Sequence, residues 1–225
     1  MIYFYPPCLP PRILKAPFGE RWVHEIELDG FCLIARRTGA TVKLYSKRGC
    51  DWSKHYPLIA EGIGQLRVSS VVLDGEVMCF DQKGGHDFDA LWNRAHDHHA
   101  RLCAFDLLEL NGEDYRQRPL LERKKRLARL LKKPWAGLEY VEHLKGDGPI
   151  IFEHACKLKL EGIVSKRIDL SYCGGPSKDW LKTKNRAHPA IMRVKEAFKE
   201  ERRQPHTTAV SDHDHMPTLD ARVRL

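Results

Sequence analysis

The segment Glu161-Gly162-Ile163-Val164-Ser165-Lys166 ends a helical stretch on a carboxylate and sends a lysine along a strand. Asp179-Trp180-Leu181-Lys182-Thr183-Lys184 follows, with two lysines at alternate positions. Side chains alternate across a strand, so Lys182 and Lys184 share one face. Three convergent lysines beside a glutamate make poor core material, because unpaired buried charge is costly. They suit a bound triphosphate and its metal, or a solvated edge strand; spacing alone leaves both open. Upstream, Asp74-Gly75-Glu76 interrupts a strongly apolar run of Val71, Val72, Leu73, Val77 and Met78. A carboxylate there needs a partner such as a metal, a ribose hydroxyl or a lysine. Phe105 lies on another apolar strand, where it fills core or makes one wall of a base pocket.

The elements that must position these groups are mostly strands in the first half. Strand-like runs at 22–27, 31–36 and 41–46 are punctuated by Gly30 and Gly39, as turns of an antiparallel meander would be. Longer strands are expected at 71–80 and 102–110. Pro6-Pro7-Cys8-Leu9-Pro10-Pro11 excludes helix and central strand and reads as an extended N-terminal segment over 1–20. Pro119 opens an amphipathic helix with Leu120, Leu127, Leu130 and Leu131 as its apolar stripe. Arg123, Lys124, Arg126, Arg129, Lys132 and Lys133 are assigned to the other face, which reads as solvated sooner than as a surface laid along DNA. A second helix is expected over 149–160, then strands at 162–167 and about 180–184, and a helix from Ala187 to about Arg203. The main domain is thus expected over 21–203. From Gln204 to 225 the chain turns polar and reads as a disordered tail. His213 and His215, with Asp212 and Asp214, make only an incidental metal site there.

The 225 residues carry a formal net charge of +8, which favours a polyanionic partner such as nucleic acid. A hydrophobic fraction of 42% supports a real core and argues against wholesale disorder. The seven cysteines stand too far apart for a zinc or redox pair and fit a reducing cytoplasm. No secretory signal and no apolar stretch of membrane-spanning length is present in the sequence. The expectation is a cytoplasmic protein, nucleoid-associated when on DNA, with no membrane partner.

In order, the chain presents Glu25-Ile26-Glu27-Leu28-Asp29-Gly30, Leu44-Tyr45-Ser46-Lys47-Arg48-Gly49 with Asp51-Trp52-Ser53, Asp74-Gly75-Glu76, Phe105-Asp106-Leu107, Glu161 to Lys166, and Trp180 to Lys184. This series resembles the successive motifs of covalent nucleotidyltransferases, most closely the ATP-dependent DNA ligases of bacterial end-joining and repair. Capping enzymes and RNA ligases share the superfamily. The likeness runs from about Cys8 to about Phe198. It implies an α+β fold of antiparallel sheets flanked by helices, with ATP and Mg2+ or Mn2+ bound between them. It further implies that Phe105 stacks on adenine, that Glu76 meets ribose or metal, and that Glu161 helps hold the metal. Glu25, Lys166, Lys182 and Lys184 would contact the nucleotide, the lysines at its phosphates. Double-stranded DNA with nicks or ends would be the substrate, with end-binding or other repair proteins as partners.

The first motif departs from the family's Lys-x-Asp-Gly-x-Arg: Glu27 stands at the nucleophilic lysine and Cys32 at the arginine. A lysine amine attacks the α-phosphorus of ATP and keeps AMP as a phosphoramidate; a glutamate would give only a labile mixed anhydride. Cys32 removes a fork of donors, and Lys47, where arginine is usual, gives up bidentate contact. Lys15 and Lys43 are the candidate substitutes, but neither matches the strand position. No oligonucleotide-binding barrel is expected after Phe198. The resemblance therefore implies an adenylation domain defective in self-adenylation. The other readings are a non-catalytic DNA-binding or regulatory module and a decayed remnant.

Overall fold

The computed structural model describes residues 5–81, 84–94 and 96–188. The expected helix from Ala187 and the polar tail fall almost wholly outside them. Strands β1 (Cys8–Leu9), β2 (Arg12–Ile13), β3 (Trp22–Ile26), β4 (Phe31–Thr38) and β5 (Thr41–Ser46) precede helix α1 (Pro57–Gln65). Strand β6 (Ser70–Met78), helix α2 (Phe88–Trp92), β7 (Arg101–Leu110), β8 (Glu113–Asp114) and helix α3 (Leu120–Leu130) follow. The described chain closes with β9 (Leu138–Tyr140), β10 (Leu144–Lys145), helix α4 (Gly148–Lys157), β11 (Gly162–Arg167), β12 (Gly175–Pro176) and β13 (Trp180–Lys184).

Two larger sheets result. One runs β5-β4-β6-β7-β8, with β9 added parallel to β7; the other runs β10-β3-β11-β13-β2. Alternation drives the first. Phe31, Leu33 and Ala35 of β4, with Val71, Leu73 and Val77 of β6, share a core with Trp52, Tyr56, Ile59 and Ile63 of the α1 region. The opposite face carries Cys32 beside Glu76 and Ile34 beside Asp74. Between Asp74↔Asp106 and Gly75↔Ala104 the β6–β7 ladder skips a residue, so Phe105 is the extra residue of a bulge. Bulges re-aim side chains, and this one turns Phe105 toward the second sheet, 5.8 Å from Trp180.

The proline-rich start is extended and pairs with strands of the domain. Strand β1 lies parallel to β12, and β2 takes the edge position beside β13. Helix α1 is not evident from the sequence. Its two glycines argue against helix, yet a Cβ on Gly62 would sit 2.0 Å from the Ala136 carbonyl oxygen. Close packing decides there against propensity.

Helix α3 corrects the assignment of its charged face. Arg123 and Lys124 are fully buried. Arg123 grips Asp106 through two 2.8 Å hydrogen bonds, and Lys124 reaches Glu25 at 2.5 Å. Each buried cation has a partner, which is what makes its burial tolerable. From one turn of α3, one residue thus holds the six-stranded sheet and the next holds the five-stranded sheet.

Candidate active site

Strands β3, β11 and β13 are paired so that Glu25, Val164 and Lys182 stand in one row across the sheet. Period-two alternation then brings Glu25, Lys166, Lys182 and Lys184 to the same face. The chain leaves β3 at Glu27, whose backbone N–H donates to the Gly162 carbonyl at 2.9 Å. It crosses to the first sheet through Leu28-Asp29-Gly30. A Cβ on Gly30 would lie 2.1 Å from the Val77 carbonyl oxygen, so only glycine fits the crossing.

Two carboxylate–lysine clusters occupy this face. In the first, Glu27 is buried and lies 3.2 Å from both Lys182 Nζ and Lys184 Nζ. Neither Glu27 oxygen has a hydrogen bond among the described residues, so the attraction is one of charge. Lys184 also donates to Glu161 at 2.5 Å. Burial, and then the Glu27 charge, push the Glu161 carboxyl up to about 7 against the pull of Lys184. Burial opposes the charge of Lys182, but Glu27, Glu76 and Glu161 outweigh it and hold the ammonium above its ordinary range. Cys32 faces the same group. Burial, Asp74 and Glu76 raise its thiol well above the ordinary value, with Lys182 and Lys47 pulling the other way.

In the second cluster Glu25 meets Lys124 at 2.5 Å and Lys166 at 2.6 Å. Burial would raise the Glu25 carboxyl, but the two lysines overcome it and hold it below the carboxylate range. Burial lowers the Lys124 ammonium. Lys124 also donates to the Val141 carbonyl at 2.8 Å. Lys166 Nζ lies 4.2 Å from the Phe105 ring centroid and 3.8 Å from that of Trp180. An ammonium over aromatic faces is stabilised by their quadrupoles. The aromatic wall expected at Phe105 is therefore shared with a lysine.

Of the residues singled out in the sequence, Glu25, Glu27, Glu161, Lys166, Lys182 and Lys184 come together on one sheet. Glu76, Cys32 and Phe105 approach from the other. Lys47 follows β5 and is felt electrostatically at Cys32. The sequence reading places Arg123 and Lys124 on a solvated face and gives Asp106 no role, although the three fix Glu25 and the Phe105 bulge. Among the described residues no three His, Cys, Asp or Glu side chains group as a metal would require. Glu161 is already engaged by Lys184, so a divalent cation held by Glu161 and Glu76 would need further oxygens from a nucleotide.

A family model described as ATP dependent DNA ligase domain matches residues 10–184. The chain belongs to that family. It is 34% identical over 182 residues to the multifunctional non-homologous end joining protein LigD of Pseudomonas aeruginosa, covering 79% of this chain and 22% of that protein. It is 30% identical over 187 residues to the SPbeta prophage-derived DNA ligase-like protein LigB of Bacillus subtilis, covering 80% of this chain and 67% of that one. Among solved structures, a mycobacterial DNA ligase D complexed with ATP and MES superposes with a TM-score of 0.70 at 31% identity, over 80% of this chain and 60% of that one. The Chlorella virus DNA ligase-adenylate, at 13% identity and a TM-score of 0.58, shares the fold alone. The α+β nucleotidyltransferase fold expected from the sequence is the fold of this ligase-family domain. It spans about a fifth of the length of LigD, so what the whole of that protein does is not carried over with the family. No described helix is long and apolar enough to cross a membrane.

Proposed function

We propose that this chain is the adenylation domain of an end-joining-type DNA repair ligase that binds ATP and nicked DNA but does not adenylate itself. One observation carries the reading: Glu27, at the nucleophile's position, is a buried carboxylate between Lys182 and Lys184. A nucleophilic lysine there would form a P–N bond to the α-phosphorus as the bond to the β-phosphate breaks and pyrophosphate leaves. Glu27 cannot make that bond, and its charge offsets part of that of the two cations that would receive the phosphates. Phe105 would face the adenine, Glu76 the ribose or the metal, and Glu161 the metal, which would supply charge neutralisation at the phosphates when bound. The final sealing step uses a DNA hydroxyl as nucleophile and depends on positioning, so it does not require residue 27 to be an amine.

The test is incubation with α-labelled ATP and Mg2+ or Mn2+, comparing the natural chain with Glu27→Lys. We expect label on Glu27→Lys alone. Label on the natural chain would reveal another nucleophile and sink the proposal. Label on neither would place the defect at Cys32 or beyond. Sealing of a nick that already carries AMP is the companion measurement. No sealing above background would confine the chain to binding.

A further inference from the structure

The cations of helix α3 divide into two sets. Arg123 and Lys124 turn inward to buried carboxylates, whereas Lys125, Arg126 and Arg129, with Lys132 and Lys133 in the turn that follows, are exposed. None of these five makes an ion pair among the described residues. Some exposed cations elsewhere are paired, as in Lys43–Asp51 at 2.6 Å and Lys157–Glu153 at 2.7 Å. Others such as Lys54, Arg67 and Lys178 form no ion pair among the described residues, but those stand apart in the chain, whereas these five fall between positions 125 and 133. The acid within α3, Glu122, lies 3.6 Å from Arg118, outside the helix.

Lys125 and Arg129 are four residues apart and Arg126 and Arg129 three apart, spacings at which like charges destabilise a helix. The helix dipole accounts for Arg129, Lys132 and Lys133 near the C-terminal end, but not for Lys125 and Arg126 one turn earlier. The inward pair fixes the helix to both sheets, so the outer stripe is presented rigidly. We infer that this stripe is a binding surface for the phosphate backbone of duplex DNA, outside the nucleotide site. Positions 125 and 129 are separated by about 6 Å along the helix axis, so the stripe can meet successive phosphates rather than one. Such contacts position a duplex without reading its sequence. The choice of DNA as the anion rests on the ligase-family reading; the stripe does not depend on the state of Glu27.

The test is fluorescence anisotropy of a nicked duplex over a salt series. The natural chain is compared with a Lys125→Gln, Arg126→Gln, Arg129→Gln triple variant and with a Lys43→Gln, Lys157→Gln control. We expect the triple variant to bind at least tenfold more weakly at low salt. Its slope of log affinity against log salt should become shallower by about 0.9 for each phosphate that is no longer neutralised. The control should stay near the natural chain, and the triple variant should melt no lower, since it relieves repulsion. An unchanged slope, or an equal weakening in the control, would overturn the stripe. So would tighter stripe-dependent binding to anionic lipid vesicles than to DNA. Labelling of the triple variant in a Glu27→Lys background separates the two ideas: label retained with an unchanged slope removes the stripe and leaves the ligase reading intact.

Discussion

Glu27→Gln removes one negative charge while keeping the shape of the side chain, and it should raise affinity for ATP. In the natural chain Glu27 lies 3.2 Å from both Lys182 and Lys184, and Lys184 is shared with Glu161. Above pH 7, where Glu161 is ionised as well, two carboxylates cancel two ammonium groups, so these four groups present an incoming triphosphate with no net positive charge. With glutamine the local sum becomes +1. A unit charge about 4 Å from a phosphate oxygen is worth about 4 kcal/mol at an effective dielectric of 20. Solvent reaches Lys182 and Lys184, whose side chains are 33% and 25% exposed, so about half of that is a fair allowance. About 2 kcal/mol corresponds to roughly thirty-fold in Kd. Calorimetric titration with ATP at fixed ionic strength, with and without Mg2+, measures it directly. AMP should gain less than ATP, because it carries less phosphate charge. If Glu27→Gln binds ATP no more tightly than the natural chain, the carboxylate is not what blocks the lysines and the electrostatic argument fails.

Further perturbations test the frame around the site. Arg123→Ala leaves Asp106 buried with only the Leu107 backbone N–H donating to it and should cost about 3–5 kcal/mol in urea unfolding; a cost under about 1 kcal/mol would mean water or another group replaces the guanidinium. His24 is buried, its Nδ1 is 2.9 Å from Ser165 Oγ, and burial lowers its pKa against the opposing Gly146 backbone and Asp147 charge. A folded-state pKa below the unfolded value of about 6.5 means the unfolded chain binds that proton more readily, so stability is lost as pH falls below about 6.5. Urea unfolding of His24→Asn should therefore decline less between about pH 7.5 and pH 5.5 than that of the natural chain, and parallel declines would show that His24 is not responsible.

Much of this architecture is legible in the sequence because it rests on alternation. The strand at Thr41–Ser46, the pair at Gly162–Arg167 and Trp180–Lys184, and the lysines on one face all follow from period two. What escapes such a reading depends on partners distant in the chain. Arg123 and Lys124 lie three and four residues after Leu120, and four and three before Leu127, on the apolar stripe itself, yet cations read as exposed. Their burial is intelligible only once Asp106 and Glu25 are known to wait beneath them. Helix α1 escapes for a similar reason: Gly62 weakens the local preference, and the carbonyl that demands it belongs to Ala136. At the site the motifs name the residues, but no spacing could say that Glu27 would settle between Lys182 and Lys184.

The adjacent anchors of α3 also bear on motion. Arg123 is tied to β7 and Lys124 to β3, with side chains that have no solvent to retreat into. Separating the two sheets at this end would strand buried charges, so local opening there is costly. The helix therefore restrains the gap between the sheets at this end. Amide exchange should report β3 and β7 as a single cooperative unit that releases its protons together, although one sheet does not contain both strands.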